Sequence, residues 1–253
     1  MSWARVAAVS VIMVVVGGGC VTLWTLGVAD HYVMGHQIEF VQLVLRSTPV
    51  ALVFPALAVL PFTVVAVSAT RNNFLLYTRT RRRIRSTLVR LYIGAAVVTF
   101  AVFAIIMLTY ELGAMVSEVA GTVDYVPGRV DRTPETTTTF SQLMVYGTGA
   151  YYAFQCVWFG VNAAAYAVLG LSCVLVIRQP VVALLLPWLV FVVVGFGMAV
   201  LGLEAFSPFT VAPANLTQLP MWMPMVPAAV LVLVAVGSAL GTVWYADRLA
   251  VTA

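Results

Sequence analysis

A dense arginine cluster between Arg71 and Arg90 is the part of this sequence whose chemistry is easiest to define. Its seven arginines are Arg71, Arg79, Arg81, Arg82, Arg83, Arg85 and Arg90, with no acidic residue among them. Guanidinium groups stay charged and bind acidic groups of a partner. An arginine at the centre of a bilayer costs about 2.5 to 3.5 kcal/mol. Because apolar stretches flank the cluster on both sides, we expect it to lie in water beside a membrane.

The spacing within this cluster predicts a docking surface. Phe74, Tyr77, Arg81 and Ile84 recur every three to four residues and would share one face of a helix. An apolar edge beside a cationic face is typical of a segment that docks into a groove of another protein. The candidate partner-binding residues are Phe74, Tyr77, Arg79, Arg81, Arg82, Arg83, Ile84 and Arg85. The alternative is an anchor that only touches anionic lipid headgroups.

Two polar residues lie inside an apolar stretch further along the chain. Gln155 and Asn162 are seven residues apart and therefore fall on one helical face. Polar groups at membrane depth face protein or a wet cavity, so the pair could line a substrate pathway. Hydrogen bonding between helices is the other reading.

The sequence lacks the other residue groupings and motifs that would indicate a metal site or an enzyme. His36 and Glu39 could share a helical face, but no further ligands are fixed near them, so we predict no metal site. HExxH and GxSxG motifs are absent, and we expect no catalytic residue. All 13 basic residues are arginine, which excludes a P-loop because that motif needs a lysine. No ionisable group falls convincingly inside an apolar stretch.

Composition sets the fold class. The 253 residues are 62% hydrophobic and 9% charged, whereas soluble domains carry about 25% charged residues. Six stretches approach the roughly 20 apolar residues that a membrane span needs. We predict an all-α polytopic protein with one transmembrane domain over residues 1–253. The predicted spans are 6–28, 48–69, 91–112, 151–177, 181–203 and 227–245.

Arginine distribution orients the predicted spans. If the cluster is cytoplasmic, ten arginines lie on the cytoplasmic side and three, Arg46, Arg129 and Arg132, on the outer side. An excess of arginine marks the cytoplasmic face. Eight of the nine acidic residues, Glu111 among them, then fall on the outer side. Both termini are cytoplasmic, as six spans require.

The connections between the predicted spans differ in character. Residues 70–90 form a basic cytoplasmic segment. On the outer side, residues 29–47 make a short mixed connection and residues 113–150 a long one with turn signals. Residues 205–226 carry no charge, are rich in Phe, Met and Trp, and contain four prolines. This composition favours a pair of short re-entrant helices, with a loop packed on the protein's outer surface as the alternative.

This layout resembles the membrane subunits of type-2 ABC exporters. The resemblance rests on six spans, a basic coupling segment between spans two and three, and re-entrant outer helices between spans five and six. The stretch Asn73-Phe74-Leu75-Leu76-Tyr77 followed by clustered arginines is similar to small bacterial members. An amphipathic helix before span one, common in that family, has no counterpart within residues 1–5.

The resemblance implies a function and a set of partners. A permease subunit would form the pathway with a second copy or a homologue in the bacterial plasma membrane. Separate ATP-binding subunits would carry ATP and Mg, so this chain needs no cofactor of its own. No nucleic acid partner is expected. The substrate stays open among peptides, drugs and lipid-linked molecules. The alternative function is a membrane-embedded accessory or sensor protein, and a membrane enzyme is disfavoured by the missing catalytic groups.

Orientation is testable by cysteine labelling. We predict that a cysteine at Thr137 reacts with an impermeant thiol reagent on whole cells, whereas one at Thr80 does not, because the arginine bias places Thr80 inside. The native cysteines Cys20, Cys156 and Cys173 are replaced first so that only the new thiol reports. Labelling at Thr80 would reverse the orientation and remove the basis for a cytoplasmic partner.

Overall fold

The computed structural model describes residues 3–29, 31–71, 84–125, 139–177, 179–211 and 219–245. Every regular element within these residues is helical. In chain order they are α1 (Trp3–Met13), a π-helix (Val14–Cys20), α2 (Val21–Ala29), α3 (Gln37–Ser47), α4 (Val50–Arg71), α5 (Ile84–Val119), a 3-10 helix (Ser141–Tyr146), α6 (Thr148–Val176), α7 (Pro180–Val200), two short 3-10 helices (Glu204–Phe206 and Pro208–Val211) and α8 (Trp222–Trp244).

The described helices agree with a multi-pass membrane protein. Five are long and apolar enough to cross a bilayer, and a sixth crossing results if α3 and α4 form one bent span. The first crossing runs through α1, the π-helix and α2 over Ala4–Ala29. The prediction of an all-α polytopic fold is therefore confirmed at this level.

The π-helix in the first span leaves backbone carbonyls that need other partners. Its wider turns coincide with three successive glycines, Gly17 to Gly19. The Tyr110 hydroxyl of α5 donates to the Gly17 carbonyl. The Thr22 hydroxyl donates to the Gly18 carbonyl at 2.6 Å. An unsatisfied backbone group in an apolar interior costs free energy, so these bonds stabilise the irregular turn.

The predicted outer connection 29–47 contains a helix, because Gln37–Ser47 forms α3. The helix ends where proline follows: Pro49 disfavours helical backbone at Thr48, which is extended at φ −115° and ψ 148°. The chain resumes as α4 at an angle of 71° to α3. The Thr48 hydroxyl closes the end of α3 by donating to the Val44 carbonyl at 2.7 Å.

Helix α5 is much longer than the predicted third span. It contains 36 residues, which makes it roughly 54 Å long at about 1.5 Å per residue. The hydrocarbon core is only about 30 Å thick. The predicted span 91–112 is therefore the middle part of α5, and the helix continues past it at both ends.

Helix α6 lies at the centre of the bundle and packs against α4, α5, α7 and α8. Glycines allow the closest approaches. A Cβ atom at Gly170 would lie 2.4 Å from Cγ1 of Val59 on α4, and one at Gly160 would lie 2.7 Å from Cδ2 of Phe100 on α5. Phe159 completes this core by stacking on Phe54 of α4, with 4.7 Å between ring centroids.

The outer segment 205–226 differs from the prediction at its end. Residues 222–226 belong to α8, so the last helix begins five residues before the predicted span. The described remainder contains two short 3-10 helices, Glu204–Phe206 and Pro208–Val211. Phe209 packs into α7 at Gly195, where a Cβ atom would lie 2.5 Å from the ring. The Trp158 indole of α6 donates to the Val211 carbonyl at 2.9 Å.

We predict that Gly170→Ala destabilises the protein by about 1 to 3 kcal/mol, because the added methyl overpacks against Val59. The readout is the thermal unfolding midpoint of the purified chain in detergent. Gly237→Ala is the matched control, since nothing lies within 4 Å of a Cβ atom there. Equal midpoints for the two variants would show that α4 and α6 are not packed this closely.

Candidate functional site

The structure describes only the end of the predicted docking segment. Ile84 and Arg85 form the first turn of α5, and Arg85 is exposed. The other residues predicted to bind a partner, from Phe74 to Arg83, lie outside the described residues. Docking through this segment therefore stays a prediction.

Gln155 and Asn162 are both buried on α6, with 2% and 0% of their surfaces exposed. The Gln155 amide donates to the Tyr151 hydroxyl at 3.0 Å, and the Asn162 amide donates to the Trp158 carbonyl at 2.8 Å. Both bonds stay within α6, but the Gln155 amide also donates to the Thr139 carbonyl, outside this helix, at 3.5 Å. The side-chain oxygens of Gln155 and Asn162 are buried without a hydrogen-bond partner. Their role in lining a pathway stays a prediction, but each keeps one acceptor available.

The expectation that no ionisable group is buried is wrong. Glu111 is only 2% exposed and lies inside α5, packed against α6. The Cys156 thiol donates to its Oε2 atom at 3.2 Å. Its Oε1 atom is buried with no partner among the described residues. Glu111 is therefore not one of the solvated acids of the outer side.

The sequence holds a signal for this burial that the span prediction missed. The predicted third span ends at residue 112, directly after Glu111. Apolar residues continue after Glu111, and α5 runs on to Val119. Gly113 interrupts no helix; it allows α2 to approach, since a Cβ atom there would lie 2.4 Å from the Thr22 methyl.

A chain of polar side chains leads from the surface towards this region. The Gln37 amide at the start of α3 donates to the carboxylate of Glu118, which is exposed. The Tyr152 hydroxyl of α6 donates to the Gln37 side-chain oxygen at 3.3 Å. Tyr152 is itself buried and lies within electrostatic range of Glu111. Hydrogen bonds thus join Glu118, Gln37 and Tyr152, and Tyr152 lies near Glu111 without a hydrogen bond to it.

His36 acts as a helix cap. Its Nδ1 atom accepts from the backbone N–H of Ile38 at 3.2 Å, at the start of α3. Burial lowers the pKa of His36, although the carboxylates of Glu118 and Glu39 oppose this shift. The neutral ring that results can accept the capping bond. The Glu39 carboxylate accepts a hydrogen bond from the Gly35 N–H at 2.7 Å. Among the described residues no three His, Cys, Asp or Glu side chains are grouped for a metal ion.

A second feature is an apolar cavity of about 490 Å³ between α6, α7 and α8. The short 3-10 helices of the outer segment contribute to its wall through Phe206, Pro208 and Val211. Its other lining side chains include Tyr166, Leu169, Cys173, Leu186, Pro187, Val190, Phe191, Val194, Met198, Val226, Pro227, Val230, Leu231 and Val234. Small-molecule sites occupy roughly 300 to 1,000 Å³, and this cavity falls within that range. Its lining suits an apolar chain or ring system.

Proline shapes the cavity. Pro187 lies inside α7 and Pro227 inside α8, and both line the space. A proline within a helix removes one backbone hydrogen bond and bends the helix away from it. Both prolines therefore weaken the backbone hydrogen bonding of the helices that line the cavity. Sequence inspection noted neither proline as a site residue.

Comparison of the chain with protein-family models, with curated proteins and with solved structures gives no match.

Proposed function

We propose that this chain is the permease subunit of an ATP-driven ABC exporter in the bacterial plasma membrane, and that it moves an apolar or amphipathic substrate. The observation that carries the proposal is the apolar cavity of about 490 Å³ between α6, α7 and α8. An anchor or scaffold needs no such space. A transport subunit needs a place where the apolar part of its cargo can leave the lipid.

The arrangement of the spans supports this function. The described helices supply five crossings and a bent pair that can make a sixth, as the family layout requires. In the proposed orientation both termini are cytoplasmic and the arginine cluster faces the cytoplasm. The 3-10 helices Glu204–Phe206 and Pro208–Val211 belong to the segment that we propose re-enters the outer leaflet.

The proposed mechanism uses a partner for energy and this chain for the path. Two permease subunits, identical or homologous, form the membrane part, and separate ATPase subunits bind ATP and Mg. Closure of the ATPases pushes on the segment from Phe74 to Arg85, where arginines meet acidic groups of the partner. Movement of α5, which begins within this segment at Ile84, then reaches α6 through their shared core.

Cargo binding predicts a difference between two leucines of α8. Leu231→Trp fills the cavity and should reduce photolabelling of the purified chain by a diazirine-bearing fatty acid severalfold. Leu233→Trp is the matched control, because Leu233 is 71% exposed on the same helix and does not line the cavity. Mass spectrometry locates the label. Unchanged labelling of Leu231→Trp would mean that the cavity does not hold apolar ligands.

Partner binding separates a permease from an accessory or sensor protein. Phe74→Ala with Tyr77→Ala should weaken co-purification of an ATPase, because a large apolar side chain buried at an interface contributes about 1.5 to 3 kcal/mol. Membrane insertion should be unchanged. Thr78→Ala with Thr80→Ala controls for changes elsewhere in the segment. If no ATPase accompanies the wild-type chain, or the aromatic variant retains it at full stoichiometry, the coupling role of this segment is lost.

A further inference from the structure

Three buried side-chain polar atoms, one each on α3, α5 and α6, have no hydrogen-bond partner among the described residues. They are Nε2 of Gln42, Oε1 of Glu111 and Oε1 of Gln155. A buried polar group without a partner is unfavourable, and its presence points to a bound species that completes it. The Gln42 nitrogen is a hydrogen-bond donor and the Gln155 oxygen an acceptor. The Glu111 oxygen accepts when the carboxyl is ionised and can donate when it is protonated.

A small cavity lies beside two of these atoms. It has a volume of about 10 Å³ and is lined by residues of α3, α5 and α6, including Gln42, Met107, Tyr151, Tyr152 and Gln155. A polar cavity of roughly this size holds one water molecule. Such a water can accept from the Gln42 amide and donate to the Gln155 oxygen, which satisfies both atoms.

Glu111 lies about one helical turn from this cavity, both along α5 and through its hydrogen-bond partner Cys156 on α6. Met107, four residues earlier on α5, lines the cavity. Cys156, which donates to the Glu111 carboxyl, lies four residues after Tyr152, another lining residue. The carboxyl thus lies near a cavity large enough for one water molecule, while its own surface is almost closed to solvent.

Ionisable groups on the elements packed around Glu111 are few. Helix α6 contributes the Cys156 thiol and the Tyr151 and Tyr152 phenols on this side. The other elements packed against α5 are poor in ionisable groups: α2 and α8 contain none, and the rest contribute Arg5, Cys20, Glu39, Arg46 and Arg71. On α5 itself Tyr110 and Glu118 are near in sequence, and Tyr125 follows the helix. No ion pair to Glu111 is found among the described residues. Burying an unpaired carboxylate is expensive, so the neutral acid is the favoured form here.

We propose that Glu111 is a proton-binding site, with a water molecule held between Gln42 and Gln155 and with access to the surface through Tyr152 and Gln37. In the binding step a hydronium ion gives its proton to Oε1, an O–H bond forms, and one water is released. Oε2 keeps the hydrogen bond from Cys156. The reverse step breaks this O–H bond and returns the proton from Oε1 to water, and Tyr152 and Gln37 line the route to the exposed Glu118. This proposal does not depend on ATP-driven transport.

The test is infrared spectroscopy of the full-length chain in lipid vesicles. At neutral pH the wild-type protein should show a carboxylic acid C=O stretching band, because exposed glutamates ionise near about pH 4.3 and do not contribute one. Glu111→Gln should remove this band. Glu204→Gln is the control, since Glu204 is an exposed acid outside the site. A band that is missing in the wild type, or that persists in Glu111→Gln, overturns the proposal.

Glu111→Asp keeps the test valid if Glu111→Gln does not fold. It retains a carboxyl group and should show the same band at a shifted frequency; loss of the band in a folded Glu111→Asp protein counts against the site. A sodium titration at constant pH identifies the ligand. A sodium-dependent loss of the acid band that requires Glu111 would overturn proton binding in favour of a metal cation.

Isotope exchange tests the access path. On transfer to D₂O the acid band shifts as the proton exchanges, and Tyr152→Phe should slow this shift severalfold because it removes the hydroxyl bonded to Gln37. Tyr146→Phe is the matched control at an exposed tyrosine. Equal exchange rates for Tyr152→Phe and the wild type would overturn the path through Tyr152.

Discussion

The close packing of α6 against α4 and α5 is the constraint on which the rest of the bundle depends. Within a bilayer, lipid tails are as apolar as leucine, so helices associate through tight van der Waals contact rather than through the hydrophobic effect. Gly160 and Gly170 bring the neighbouring backbones close enough for that contact. The rings of Phe54, Phe103 and Phe159 then interlock where the three helices meet.

Hydrogen bonds between hydroxyl side chains also connect these helices. The Tyr92 hydroxyl of α5 bonds to Ser172 of α6 at 3.0 Å and to Thr242 of α8, which ties three helices at one level. Ser172 also bonds to Ser238 of α8 at 3.1 Å. Each of these hydroxyl groups therefore has a hydrogen-bond partner on another helix. Glu111 and Gln155 lie in two of the same helices, and each keeps one oxygen atom without a hydrogen-bond partner among the described residues.

Two cavities of opposite character flank α6. The cavity towards α7 and α8 is large, apolar and bounded by two prolines. The one towards α3 and α5 is small and lined by amides and phenols together with Ile38, Val41, Leu45 and Met107. An apolar ligand in the first and a proton beside the second would both act on α6, because residues at different heights of this helix line both cavities. The central helix is therefore the element through which occupancy of one site can change the shape of the other.

Composition and arginine placement by themselves determine that this chain is helical and polytopic, because the cost of burying charge in lipid leaves few alternatives. They also locate Gln155 and Asn162 on one helix. They do not determine which acid is buried, since Glu111 looks like a span boundary until α5 is seen to continue to Val119. The bend at Pro49 and the apolar cavity also required the tertiary structure. Each depends on which helices become neighbours, and that follows from side-chain packing between residues far apart in sequence.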